Sequence, residues 1–156
     1  MENNLPVHFL YPAELFVSKT PHQINTILGS CVAVCLFDPI LQIGGINHYM
    51  LPYWNGQGLA SPKYGNIAIE KLIDKLLTLG SNKNNLKAKI FGGGEVIETQ
   101  VVQFHIGARN IEIAKQLLEE KKIPIISSSV GGKLGRKIEF ITSTGEVRQK
   151  YIQKTL

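Results

Sequence analysis

The chain has 156 residues, 44% of them hydrophobic, and 17 Lys and Arg against 12 Asp and Glu give a formal charge of +5; this fits one domain over residues 1–156 with a core that needs no disulfide staples. The basic residues are scattered, with Lys83, Lys87 and Lys89 around a loop, Lys121 and Lys122 at a helix end and Lys133, Arg136 and Lys137 entering a strand, which describes a solvated surface and argues against a nucleic-acid groove. Met1-Glu2-Asn3-Asn4 lacks the basic region and apolar run of a secretory signal, and no stretch is long enough to span a bilayer, so a soluble cytoplasmic protein without membrane insertion is expected.

Residues 1–24 read as an irregular amino-terminal segment, with His8 and His22 close to prolines and exposed. Residues 26–37 are rich in β-branched and apolar side chains, Asp38-Pro39 is a turn signal, and residues 42–50 are apolar again, which together predict a β-hairpin. Ser61-Pro62 reads as an N-cap followed by proline at the first helical position, after which Tyr64, Ala68, Leu72, Leu76 and Leu79 recur at helical spacing until Gly80. Residues 81–85 form a loop, and residues 89–91 a short strand that runs into Gly92-Gly93-Gly94. Asn110 is expected to cap a second helix carrying Ile111, Ala114, Leu117 and Leu118, with Lys121-Lys122 where the helix dipole favours cations. Beyond Pro124, residues 125–128 form a strand, Gly131, Gly132 and Gly135 mark a loop, and residues 138–142 and 146–152 flank Ser143-Thr144-Gly145 in a hairpin with Gly at its left-handed position. The alternation predicts an α/β fold whose helices cover a mixed, largely antiparallel sheet.

The first hairpin carries the chemistry. A loop at Pro39-Ile40, or over residues 38–41, sets Cys31 directly opposite His48, with Cβ atoms roughly 4.5–5.5 Å apart on one face. An odd-length loop or a bulge at Gly44-Gly45 would send the two to opposite faces. An imidazole beside a thiol supplies a base and lowers the thiol pKa, so Cys31 is expected to ionise well below about 8.5. The bland alternative makes Cys31 a buried small apolar residue and His48 an incidental strand residue. Cys35 sits roughly 13 Å from Cys31 along a strand, too far for a disulfide, and reads as structural.

Other motifs fail on inspection. The run from Gly92 to Ile97 lacks the third glycine of a dinucleotide fingerprint, and the run from Gly131 to Lys137 lacks the Ser or Thr that follows Lys in a phosphate loop. Cys31, Cys35, His48 and His105 show no paired zinc-ligand spacing. No metal and no organic cofactor is expected.

Leu28-Gly29-Ser30-Cys31-Val32-Ala33-Val34-Cys35-Leu36-Phe37-Asp38-Pro39, followed by Gly44-Gly45-Ile46-Asn47-His48-Tyr49-Met50-Leu51-Pro52, resembles the signature of the chemoreceptor glutamine deamidases, the CheD family. Ser61-Pro62-Lys63-Tyr64-Gly65, Ala88-Lys89-Ile90-Phe91-Gly92-Gly93-Gly94, Ile106-Gly107-Ala108-Arg109-Asn110, Ile123-Pro124, Gly131-Gly132, Gly135-Arg136-Lys137 and Thr144-Gly145-Glu146-Val147 resemble its later blocks in the same order. The resemblance implies a three-layer α/β arrangement and hydrolysis of selected glutamine side chains to glutamate in chemoreceptor cytoplasmic helices. It also implies a CheC-type phosphatase as partner, Cys31 as nucleophile and His48 as general base.

In that family a Thr six residues before the Cys orients the His. Here that position is Asn25, and Thr26 follows it. Asn25 shares the odd-numbered parity of Cys31 and is slightly favoured, whereas Thr26 needs Gly29-Ser30 to shift the phase of the strand. Gly29, Ser30 and Cys31 are expected to offer backbone N–H groups to a tetrahedral oxyanion, with Gly29 and Ser30 also contacting substrate. The competing class of function is a non-catalytic module that regulates a CheC-type phosphatase, with Cys31 and His48 kept for structure.

Overall fold

Among residues 4–96 and 105–153, which the computed structural model describes, the chain runs β1 (Val7–Phe9), β2 (Leu15–Ser18), β3 (Gln23–Leu28), β4 (Val32–Asp38), β5 (Ile43–Asn47), α1 (Gly65–Thr78), a single 3-10 turn (Lys83–Asn85), β6 (Lys87–Gly92), α2 (Ile106–Glu120), β7 (Ile125–Val130), β8 (Gly135–Ile141) and β9 (Val147–Ile152). Met1, Glu2, Asn3 and Ile97, which enter the sequence reading, lie outside the described residues.

The strands form two sheets where the sequence suggested one, a larger one ordered β2-β5-β4-β6-β7 and a smaller one ordered β1-β3-β8-β9. Each is antiparallel except for one parallel pair at an edge, β6 with β7 and β1 with β3. The difference arises at Gly29-Ser30-Cys31. These residues break the run predicted over 26–37 into β3 and β4, which enter different sheets.

β4 is buried at every position because both of its faces are covered, which is why it reads as a continuous apolar run rather than an alternation. On one face Val32, Val34 and Leu36 pack with Ala68, Ile69, Leu72 and Leu76 of α1 and Ile113, Ala114 and Leu117 of α2. On the other, Ala33, Cys35, Ile46 and Phe91 meet Ile24, Leu28, Ile138 and Phe140 of the smaller sheet. The three layers are therefore helices, larger sheet and smaller sheet, an α/β fold. Each fully buried Leu or Ile in them contributes about 1.5–3 kcal/mol relative to exposure.

The amino-terminal segment is not irregular. It lends one strand to each sheet, β1 beside β3 and β2 beside β5. Both are short edge strands between Pro6, Pro12 and Pro21, too brief to show an alternation and placed where proline is tolerated.

The helices also start elsewhere than expected. Ser61-Pro62-Lys63 forms a turn, and α1 begins at Gly65 because the carbonyls of Leu51 and Pro52 accept the N–H groups of Gly65 and Asn66 at 2.7 and 3.2 Å, leaving no need for a side-chain cap. In α2 the Ala108 N–H donates to the Glu95 carboxylate at 3.2 Å, so the helix starts at Ile106 and Asn110 is an internal, fully buried residue rather than its cap. Gly145 has φ 78°, the left-handed conformation its hairpin position requires.

Candidate active site

The turn between β4 and β5 sets the site. Asp38 Oδ1 accepts the N–H groups of Ile40 and Leu41 at 2.8 and 3.1 Å, and the Ser81 hydroxyl donates to Oδ2 at 2.6 Å. Burial works against its charge, but these donors outweigh it and hold the Asp38 carboxyl below its ordinary range. The fixed turn spans residues 39–42 and pairs Asp38 with Ile43 and Cys35 with Ile46. This register lies two residues from the expected one, so Cys31 and His48 are diagonal rather than directly opposite. A slip of two keeps both on one face.

That face looks into the space between the sheets. Ala33 and Cys35 of β4 and Ile46 of β5 already point there, and Cys31 packs against the same cluster as the next member of the alternation. His48 follows Ile46 by two and meets Thr26, which reaches across from β3 in the smaller sheet, with Oγ1 2.8 Å from Nδ1 of the ring. Diagonal cross-strand neighbours have Cβ atoms about 7–8 Å apart or somewhat less, and no hydrogen bond joins the Cys31 thiol to the imidazole in this structure.

The hydrogen bonds fix the tautomer. Thr26 has one hydroxyl proton, and it is donated to the Leu10 carbonyl at 2.7 Å. Toward His48 the same oxygen can only accept, so Nδ1 carries the ring proton and Nε2 holds a lone pair. Nε2 is buried and has no hydrogen-bond partner among the described residues. The result is a base with its orientation set from behind and its basic nitrogen free.

Asn25, favoured on parity, is not the partner of the ring. β3 buries Ile24, Thr26 and Leu28 toward the other sheet, and Asn25 on the opposite face accepts from Gln23 Nε2 at 2.9 Å. The parity argument fails because β3 and β4 belong to different sheets, so the numbering of one says nothing about the facing of the other.

Electrostatics reverse one expectation as well. Burial pushes the Cys31 thiol above its ordinary value, opposed in part by its own backbone N–H, and burial lowers His48 to about 4. Burial favours a neutral thiol and a neutral imidazole over a preformed thiolate, with no charged group among the described residues offsetting the desolvation. Cys35 is fully buried and its thiol is pushed far up, only partly relieved by Lys89.

Around the thiol, no hydrogen bond among the described residues engages the backbone N–H groups of Gly29 and Ser30, and that of Cys31 faces its own sulfur. The turn that carries them is clamped from behind, where Gly93 N–H donates to Cys31 O at 2.8 Å and Gly94 N–H to Gly29 O at 2.9 Å. Gly92 lies so near that a Cβ there would sit 2.3 Å from the Cys31 carbonyl oxygen, and its φ of 104° excludes other residues on conformational grounds too. Arg109 and His105 both lie exposed at the start of α2.

Two residues beside the pair were missed from sequence. Asn47 Oδ1 accepts the Val34 N–H at 2.9 Å, substituting for a bond of the β4–β5 ladder just before His48. Asn110 Nδ2 donates to the carbonyls of Ser30 and Met50 at 3.0 Å each. A signal for the second was present, since Asn110 stands three and four residues before Ile113 and Ala114 on the buried stripe of α2, where an apolar residue is the rule.

Comparison with known proteins places the chain. The family model described as CheD chemotactic sensory transduction matches residues 50–151. A Sulfurimonas denitrificans protein named "Probable chemoreceptor glutamine deamidase CheD" is 47% identical over 148 residues, covering 94% of this chain and 95% of that one. A Trichlorobacter lovleyi protein of the same name is 49% identical over 140 residues, covering 90% and 87%. Among solved structures, the Bacillus licheniformis hypothetical protein YfiH shares the fold with a TM-score of 0.51 at 21% identity, over 74% of this chain and 50% of that one. With a family model matched over most of its length and relatives near one-half identity across nearly all of it, the chain belongs to the CheD family.

Proposed function

We propose that this chain, acting as one domain in the cytoplasm, hydrolyses the side-chain amide of glutamines in chemoreceptor cytoplasmic helices to glutamate, with Cys31 as nucleophile, His48 as base and Thr26 orienting the imidazole. The reading is carried by one observation, the Thr26 bond to His48 Nδ1 that leaves the Nε2 lone pair on the face shared with Cys31. Membership of the CheD family and the names of the relatives support the substrate.

The chemistry follows from a neutral pair. Nε2 takes the thiol proton as sulfur attacks the glutamine carbonyl, and the C–S bond forms while the carbonyl electrons move onto oxygen. In this reading backbone N–H groups of the Gly29-Ser30-Cys31 turn receive that oxyanion, a contribution worth about 2.7–4 kcal/mol per donor in other enzymes. The imidazolium then protonates the departing nitrogen, ammonia leaves, and a thioester remains on Cys31. Water, deprotonated by the regenerated neutral His48, attacks the thioester, and the C–S bond breaks to give glutamate and the free thiol. The burial that disfavours a resting thiolate also keeps the imidazole unprotonated and ready at neutral pH.

A purely binding role is less well supported. A module has no use for a buried imidazole nitrogen with an unpaired lone pair, which costs about 1–3 kcal/mol in desolvation. The family resemblance extends to a CheC-type phosphatase as a second partner, and a pull-down with such a phosphatase tests that part separately. The activity itself is tested by incubating the protein with a receptor cytoplasmic fragment and following Gln-to-Glu conversion by peptide mass spectrometry. Conversion that depends on the protein supports the reading, and its absence refutes it.

A further inference from the structure

We propose that Asn110 is a positioning residue that holds the Cys31 turn and the His48 strand at a fixed separation. The inference rests on the reading of Cys31 and His48 as the reacting pair, and it concerns a residue that lies in neither arm.

Asn110 is fully buried on the stripe that α2 presents to the larger sheet. Its Nδ2 donates two hydrogen bonds of 3.0 Å, one to the carbonyl of Ser30, the residue before Cys31, and one to the carbonyl of Met50, two residues after His48. The amide cannot be turned over, because Oδ1 would then face two carbonyl oxygens. The Asn110 carbonyl in turn accepts the hydroxyl of Tyr49, the residue next to His48. One helical residue thus bonds to positions 30, 49 and 50, on both sides of the pair.

The β4–β5 ladder ties the arms as far as Val32 and Tyr49, which exchange N–H···O bonds of 3.1 and 3.0 Å, but it does not reach Cys31 itself. β4 and β5 pair at Cys35 with Ile46 and again at Val32 with Tyr49, but between them the Asn47 side chain takes the Val34 N–H. Cys31 and Met50 lie beyond the last bridge, where the ladder no longer sets their spacing. Asn110 extends the tie past that pair from the helix layer, to Ser30 and Met50. Packing alone would be served better by an apolar side chain of similar volume, since Oδ1 of Asn110 is buried without a partner among the described residues.

The test compares the full chain with Asn110→Leu, which keeps the volume and removes both N–H donors, and with Ile113→Ala, a control on the same buried stripe. Asn110→Leu is expected to lower kcat for receptor glutamine hydrolysis about 10- to 100-fold with KM within about twofold, the size of effect that a small misplacement of reacting groups produces. Ile113→Ala is expected to lower Tm and leave kcat intact. A kcat for Asn110→Leu within about twofold of the parent protein overturns the proposal. Should Asn110→Leu fail to fold, Asn110→Asp decides. Its carboxyl can donate to a carbonyl only when protonated, so its kcat relative to the parent must rise as pH falls, and a flat ratio overturns the proposal. A parent protein that converts no glutamine refutes the functional reading instead. Alkylation of Cys31 by iodoacetamide, which needs no amide substrate, then tests the positioning directly: a rate slowed in Asn110→Leu supports it and an unchanged rate overturns it.

Discussion

The two faces of β4 are made by one seven-residue strand, yet they serve different ends. Toward the helices, Val32, Val34 and Leu36 sit in a layer of aliphatic side chains from α1 and α2. Toward the smaller sheet, Ala33 and Cys35 begin a second apolar layer, but at its open end the next position is Cys31 and the facing residues are Thr26 and His48. The contrast teaches that the helix-facing layer supplies stability, whereas the chemistry sits where the inter-sheet layer runs out of apolar partners. Thr26 and His48 there are almost wholly buried, and Cys31 is only partly so.

If that division is right, the largest effect on rate comes from the polar end of the inter-sheet layer. His48→Ala removes the base and is expected to reduce kcat/KM for glutamine hydrolysis about 10²- to 10⁴-fold without lowering Tm. Leu72→Ala, in the helix-facing layer, should do the reverse. A fully buried leucine truncated to alanine costs about 2–5 kcal/mol, measurable by urea unfolding, while kcat per folded molecule stays unchanged.

The pH dependence of stability sharpens the comparison further. His48 is lowered to about 4 in the folded protein against 6.5 ordinarily, so between those values the unfolded chain binds the proton more readily. Stability is therefore full above pH 6.5 and falls as the pH drops toward 4, by up to about 3 kcal/mol from this group. Urea unfolding of the parent protein and of His48→Gln at pH 7.5 and 4.5 measures it, and the substitution should remove that part of the pH dependence.

The smallest effect separates two neighbours on β3. Thr26→Val keeps the shape but removes the acceptor of the Nδ1 proton, and should lower kcat about 10- to 100-fold through misorientation of the ring. Asn25→Ala, on the other face of the same strand, should leave kcat unaltered. Equal effects of the two would erase the distinction drawn here.

Much of this was legible in the residues. The hairpin, both helices and the shared face of Cys31 and His48 followed from periodicity, turn chemistry and an even-length loop, and the register error of two residues did no harm because side-chain direction repeats with that period. What could not be read was the division into two sheets. The break at Gly29-Ser30-Cys31 looks locally like any short turn, and only long-range pairing of β3 with β8 reveals that the chain has left one sheet for another. The preference for Asn25 over Thr26 fell with it. The charge state of Cys31 was misread for a related reason, since adjacency to a histidine is visible in a motif but the desolvation of both groups is set by the layers that close over them. From sequence Asn110 reads as a cap, because its place near an expected helix start outweighs its fit to the buried stripe.

The central claim is that sulfur at position 31 attacks the glutamine carboxamide and carries the acyl group. Acid quench of the protein during turnover of a receptor fragment, followed by mass spectrometry of both components, tests it in one measurement. The account predicts a thioester adduct confined to the peptide containing Cys31, with adduct and Gln-to-Glu conversion both lost in Cys31→Ala. Undiminished conversion by Cys31→Ala would contradict it.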